Sequence, residues 1–264
     1  MIIDFQQKRA IVTGSTAGIG FAIAQELARA HAQVVITGRT QQSVDRAVQA
    51  IRAQLPDAQL TGVAADLSTP EGASTLTTAQ PDADILVNNL GIYAAKPLLE
   101  LDDADWEHMF QVNVFSAARL ARHYAKGMVQ RGWGRLLFIS SESAINIPTE
   151  MVHYGASKAA LQALARGYAK ELAGTGVTSN AILPGPTATE NIPNFLAPLA
   201  AERGISVQEM AARFVAENRP SSLLGRFAST QEVAHMVVYA ASEQASATTG
   251  ATLRVEGGIV ETPF

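Results

Sequence analysis

Tyr154 and Lys158 stand four residues apart in Tyr154-Gly155-Ala156-Ser157-Lys158, and Ser141 lies thirteen residues before the tyrosine. Residues four apart share one face of a helix. An ammonium beside a phenol favours the phenolate, so this spacing predicts a tyrosine whose pKa is lowered toward neutral pH. A phenol tuned in this way can give or take a proton as a general acid or base. Ser141 could hydrogen-bond the same substrate oxygen. By itself the pair also fits a packed ring and a solvated charge, so the surrounding elements must decide.

Those elements alternate. Residues 9–13 form an apolar, β-branched run, followed by Gly14, Gly18 and Gly20 and then a helical pattern through Ile19, Ile23 and Leu27. This reads as strand, tight loop and helix. Strands are predicted at 33–37, 60–65, 85–87, 136–139, 177–183 and 251–255. Helices are predicted at 41–55, 71–79, 102–131 with a break, 152–172 and from Ser229 to about 241. Ser229 with Glu232 and Ser206 with Glu209 have capping-box spacing. Strands alternating with helices over the whole length predict an α/β fold: a doubly wound parallel sheet of about seven strands with helices on both faces. Residues 187–226 break the rhythm with Pro193, Pro198 and Pro220. One domain over 1–264 is expected, with 187–226 inserted near the site as a substrate lid.

The glycine loop has its own chemistry. A phosphate placed there would meet backbone N–H groups and the positive end of a helix dipole. The spacing Gly14-x-x-x-Gly18-x-Gly20 differs from the usual Gly-x-Gly-x-x-Gly dinucleotide fingerprint. At the end of the second strand, where an NAD site often has a carboxylate for the ribose, the chain reads Thr37-Gly38-Arg39-Thr40. Arg39 is suited to a 2′-phosphate, since a guanidinium binds phosphate bidentately. NADP(H) is therefore favoured, with NAD(H) also compatible. Asn113 sits in the apolar stretch Val112-Asn113-Val114-Phe115, where a buried amide must be hydrogen-bonded as a structural anchor or as part of the site. Glu142 and Glu150 read as solvated loop acids. His153, adjacent to the tyrosine, is expected on another face.

Composition removes other classes. There are 264 residues, 47% hydrophobic and 17% charged, with a formal net charge of -4, which fits a globular chain with a sizeable core. Lys and Arg are scattered, so no nucleic-acid or membrane surface is expected. The sequence has no Cys, which excludes disulfides and thiolate chemistry and suits a reducing compartment. The five His residues form no His-x-x-x-His pair, so no metal site is expected. No signal peptide or transmembrane run is read, and the expected location is cytoplasmic.

Taken together, these residues resemble the short-chain dehydrogenase/reductase family in its single-domain branch, over nearly the whole chain. Thr13-Gly14-x-x-x-Gly18-x-Gly20 is similar to that family's cofactor loop, and Asn88-Asn89-Leu90-Gly91 to its Asn-Asn-Ala-Gly. Asn113, Ser141, Tyr154 and Lys158 match its catalytic tetrad, and Pro184-Gly185-x-x-x-Thr189 its nicotinamide-holding segment. The resemblance implies a Rossmann-like sheet and hydride transfer between a nicotinamide cofactor and a small carbonyl or alcohol substrate. It assigns cofactor contacts to Gly14, Ser15, Gly18, Ile19, Gly20, Arg39, Asp66, Asn89, Gly91, Tyr154, Lys158, Pro184, Gly185, Thr187 and Thr189. Asp66 would lie beside the adenine. The departures are Leu90 in place of Ala and Glu256 in place of Asp before Gly257-Gly258. A homo-oligomer, tetramer or dimer, is also implied, with Phe115, Leu120, Leu161 and Leu164 as apolar positions beyond what a sheet face needs. Two alternatives keep the fold. One is a nucleotide-sensing protein without turnover, against which the intact Tyr–Lys pair speaks. The other is an epimerase or dehydratase retaining its nicotinamide, whose C-terminal substrate domain is absent here.

Overall fold

The computed structural model describes residues 2–263. Its order is β1 (Arg9–Val12), α1 (Gly18–Arg29), β2 (Gln33–Gly38), α2 (Gln41–Gln54), β3 (Leu60–Ala64), α3 (Pro70–Ala79) and β4 (Ile85–Asn88). There follow α4 (Asp103–Phe110), a π-helical turn (Gln111–Phe115), α5 (Ser116–Arg131), β5 (Gly134–Ile139), α6 (Val152–Glu171) and β6 (Val177–Pro184). The chain closes with β7 (Thr187–Ala188), α7 (Ile192–Arg203), α8 (Val207–Asn218), β8 (Ala228–Ser229), α9 (Thr230–Ala241) and β9 (Thr252–Val255).

Seven strands form one parallel sheet in the order β3-β2-β1-β4-β5-β6-β9. The apolar β-branched runs explain why these segments are strands: β1, β4, β5 and β6 are buried almost throughout, as a sheet covered on both sides requires. Alternation along β1 sends Ala10 and Val12 to one core with α1, α2 and α9, and Ile11 to the other with α3, α5 and α6. The strand order reverses between β1 and β4. In open sheets of this kind, ligands bind beyond the carboxyl ends of the strands at that reversal.

Two features position the site. The predicted break in 102–131 is the π-helical turn, which carries Asn113 and joins α4 to α5 with right-handed helical backbone at both junctions. Residues 187–226 fold largely as a helical hairpin, α7 and α8, with a small core of its own around Leu196, Ala200 and Met210. Ser206 caps α8 by accepting from the Glu209 amide, and Arg203 pairs with Glu217 across the hairpin. Glu256 is buried and accepts the Ile259 and Val260 amides, so the departure from Asp serves the chain's end. Ile259 in turn accepts from Asn146 Nδ2 at 3.0 Å and Ser221 Oγ at 2.7 Å, bracing the hairpin's exit. Leu120 and Leu161 lie fully in the sheet's core and Leu164 packs on it, which corrects their reading as surplus apolar positions; Phe115 is exposed. Among the described residues no helix is long and apolar enough to cross a membrane, and no group of three or more His, Asp or Glu could hold a metal ion.

Candidate active site

A cleft of about 410 Å³ opens beyond the carboxyl ends of β1, β4, β5 and β6. One wall is the glycine loop. The α1 backbone ladder starts with Phe21 N–H donating to the Ala17 carbonyl, so the amides before it face outward from the helix end. The Gly18 amide donates to Glu190 Oε2 at 3.0 Å, so this end already receives an anion. Asn89 Nδ2 holds the loop by donating to the Thr13 and Gly14 carbonyls, at 2.9 and 3.1 Å. A Cβ on Gly20 would collide with that amide group and with the Gly14 carbonyl. The loop thus needs glycine for close packing, and its outward amides fit a dinucleotide's phosphates.

The opposite wall carries Ser141, Tyr154 and Lys158. Ser141 ends β5's run into a short 3₁₀ turn, and α6 presents Tyr154 and Lys158 on one face. Lys158 is buried, its Nζ donating to the Ile139 carbonyl at 2.9 Å and lying 5.7 Å from the centre of the Tyr154 ring. Burial lowers its pKa to about 8. Tyr154 departs from the expectation of a lowered value: burial around its hydroxyl pushes it up to about 12, the Ser141 hydroxyl works the other way, and the Glu142 carboxylate adds to the rise. The Lys158 ammonium taken alone would lower the phenol's pKa. Desolvation of the phenolate outweighs it in the protein without cofactor.

Asn113 is fully buried and does not line the cleft. Its Oδ1 accepts the Ile92 amide at 2.8 Å, and its Nδ2 donates to the Ile92 carbonyl at 3.0 Å and to Ser157 Oγ at 2.9 Å. It is an anchor that ties the segment after β4 to α6. That segment continues into Tyr93, whose ring meets Tyr154 and Phe195 edge-on, each at 6.3 Å. Phe195 of α7 meets Phe214 of α8 at 5.7 Å, and Phe214 stacks on Phe227 at 5.6 Å. A continuous aromatic wall therefore runs from the catalytic candidate to the hairpin.

Glu142 is a second correction. It is 3% exposed rather than solvated. Its Oε1 accepts Arg219 Nε at 2.7 Å, and its Oε2 accepts Ser141 Oγ at 2.7 Å and Ser143 Oγ at 2.8 Å. Arg219, just past α8, lines the cleft with it. Sequence reasoning missed Arg219, Tyr93 and Glu190. Tyr93 could have been found as an aromatic two residues beyond Gly91 at a strand's carboxyl end. Arg219 and Glu190 carry no local signal. His153, as expected, faces away from Tyr154's partners: its ring packs edge-on against Trp106 at 6.1 Å, and burial lowers its pKa.

The sequence profile described as short chain dehydrogenase matches residues 8–198. The chain belongs to that family. An oxidoreductase of Bacillus subtilis, YvaG, is 42% identical over 264 residues, covering 100% of both chains. L-Sorbose reductase from Gluconobacter frateurii, solved with NADPH and L-sorbose, is 30% identical with a TM-score of 0.93, covering 99% of this chain and 100% of that one. A substituted actinorhodin polyketide ketoreductase, solved with NADPH, is 28% identical with a TM-score of 0.87, covering 98% of this chain and 100% of that one. The seven-stranded sheet and the flanking helices are those of a short-chain dehydrogenase.

Of the positions matched to the short-chain dehydrogenase pattern, the cleft brings together Gly14, Gly18, Ile19, Gly20, Asn89, Gly91, Ser141, Tyr154, Lys158, Pro184, Gly185, Thr187 and Thr189. Ser15 is elsewhere. It is fully buried, with Oγ donating to the Val12 carbonyl and accepting the Thr37 amide, and its own amide donates to the Thr37 carbonyl. Ser15 is thus a tie between β1 and β2, which removes it from the expected cofactor contacts. Arg39 and Asp66 are exposed beyond the cleft's edge, past the ends of β2 and β3. Ser68 hydroxyl and amide both donate to Asp66 Oδ1 and hold its pKa down, with Arg39's charge adding to the effect.

Proposed function

We propose that this short-chain dehydrogenase interconverts a carbonyl and an alcohol with a nicotinamide dinucleotide, and that Tyr154 handles the proton. The observation that carries the reading is that Ser141, Tyr154 and Lys158 share one cleft with a glycine loop whose helix end accepts an anion. The dinucleotide, when bound, supplies or accepts the hydride. In reduction, Tyr154 gives its proton to the carbonyl oxygen; in oxidation, it takes one from the alcohol. Ser141 orients that oxygen, turning its hydroxyl from Glu142 toward the substrate. Lys158, with a pKa near the working range, favours the phenolate as it forms. Asn113 positions the segment from Ile92 to Tyr93 against α6.

NADP(H) is the proposed cofactor, with Arg39 on the 2′-phosphate and no carboxylate beside it at the end of β2. Relatives solved with NADPH support this choice. The hairpin, with Phe195 and Phe214 facing the cleft, serves as a lid that excludes water when substrate is present. A cytoplasmic location and a homo-oligomer, dimer or tetramer, complete the reading; cell fractionation and light scattering test them. The central experiment follows reduced-cofactor absorbance with a panel of ketones and alcohols, using NADPH and NADH. Stoichiometric cofactor consumption with released product is the expected result. Cofactor binding without turnover on any substrate would count for a nucleotide-sensing protein instead.

A further inference from the structure

We propose that Glu142 and Arg219 form a recognition edge for a hydroxyl on the carbon next to the reacting one, so that the substrate is a neutral α-hydroxy ketone or the matching vicinal diol. This rests on the oxidoreductase reading above and narrows it.

Glu142 follows Ser141 directly and accepts its hydroxyl at 2.7 Å. A group that touches Glu142 therefore lies close to the oxygen that Ser141 and Tyr154 receive. Oε2 stays occupied even when the Ser141 hydroxyl turns to the substrate, because it still accepts the Ser143 amide at 2.5 Å and Ser143 Oγ at 2.8 Å. Among the described residues Oε1 accepts only Arg219 Nε, at 2.7 Å, and keeps capacity for another donor. Arg219 gives Nη1 to the Asn218 carbonyl at 2.7 Å, and Nη2 donates to no other described residue. One acceptor and one donor thus stand side by side on the cleft wall.

A hydroxyl both donates and accepts, so it satisfies that edge completely. Hydrocarbon placed there would leave Nη2 and Oε1 without partners next to a largely buried ion pair. A substrate carboxylate has no proton to give Oε1, and it would meet the Glu142 charge while seeking an arginine whose charge is already balanced. Tyr93 and Phe195 also line the cleft and offer apolar ring surface for the remaining carbons. The step adds a hydride to the carbonyl carbon and a proton to its oxygen. The α-hydroxy ketone becomes a vicinal diol, and the reduced nicotinamide dinucleotide is the co-reactant that is oxidised.

Three matched compounds test this: 2-hexanone, 1-hydroxy-2-hexanone and 2-oxohexanoate, each with NADPH and with NADH. The expected result is a kcat/KM for the hydroxy ketone at least about tenfold above the other two, as one hydrogen-bonded hydroxyl on a charged pair implies. In Arg219→Met and Glu142→Gln, the ratio of hydroxy ketone to plain ketone should fall toward one. Effects of Glu142 on proton transfer cancel in that ratio. Equal kcat/KM for ketone and hydroxy ketone, or a preference for the oxo acid, overturns the substrate class and leaves the oxidoreductase reading standing. Failure to turn over the hydroxy ketone also overturns the class, and the wider ketone and alcohol panel then judges the oxidoreductase reading separately. The wild-type ranking remains decisive if either variant fails to fold.

Discussion

Glu190 Oε2 accepts the Gly18 amide at 3.0 Å, joining a residue two positions before α7 to the first turn of α1. The same amide belongs to the helix end that the glycine loop offers to a phosphate. On the proposed reading, cofactor seat and hairpin entry share one donor, and a bound phosphate would compete with Glu190 for it.

Replacing Glu190 by Gln keeps an acceptor for the Gly18 amide but removes the charge. NADPH should bind roughly three- to tenfold more tightly, the size of a charge effect at a helix terminus. The gain should shrink at high salt. Titration calorimetry reads both, and unchanged or weaker binding by the variant would refute the competition.

Tyr154→Phe keeps the ring against Tyr93 and removes the proton. Turnover should fall by roughly 10²–10⁴, the usual worth of a general acid, while NADPH still binds. Near wild-type turnover on the best substrate would remove Tyr154 from the mechanism.

Arg39→Gln should weaken NADPH by roughly 10–100-fold, the loss expected for a charge-assisted phosphate contact, and leave NADH nearly unchanged. Equal affinity of the wild type for both cofactors would defeat the NADP(H) proposal.

Lys158 ties stability to pH. Burial brings its pKa from 10.5 to about 8, so between those values the unfolded chain binds a proton that the folded chain lacks. Stability contributed by this group therefore rises with pH from 8 to 10.5. Below that window, the folded state bears a desolvation penalty on the order of 3 kcal/mol. Lys158→Met should be the more stable protein at pH 7, with the gap closing toward pH 10. Urea unfolding across that range checks the sign; a variant less stable at pH 7 would contradict it.

The hairpin predicts a protease pattern. Arg203 and Arg213 are exposed on α7 and α8, each in an ion pair within the hairpin. A lid that opens should be cut there quickly by trypsin in the free protein, and more slowly with cofactor and substrate together. Resistance in both states would mark the hairpin as rigid padding.

The sequence made the sheet legible because its strands are buried on both faces and read as short apolar runs. Asn113 was visible as a misfit, since an amide has no place in an apolar helix without partners. The π-helical turn that seats it was not, because its geometry depends on Ile92 and Ser157 from other segments. Glu142 was misread for a similar reason: what makes its burial tolerable is Arg219, 77 residues away. Tyr154's acidity failed as a local argument because enclosure by its neighbours, and not the residue four positions on, dominates it. The hairpin was marked by its prolines and the Ser206 cap. The pairing of Leu196 with Met210 into a separate core leaves no periodic trace.

The π-helical turn has a consequence for insertions and deletions. A π turn holds one residue more than the α-helix it interrupts. Removing one residue from 111–115 would let α4 and α5 run on as a regular helix and satisfy every local preference. Each residue advances a helix by roughly 100°. The shortened helix would therefore have to swing either Met109 out of its pocket or Leu120, Tyr124 and Met128 away from the sheet. Here the irregular turn keeps two faces in phase, and local regularity would be the lesion.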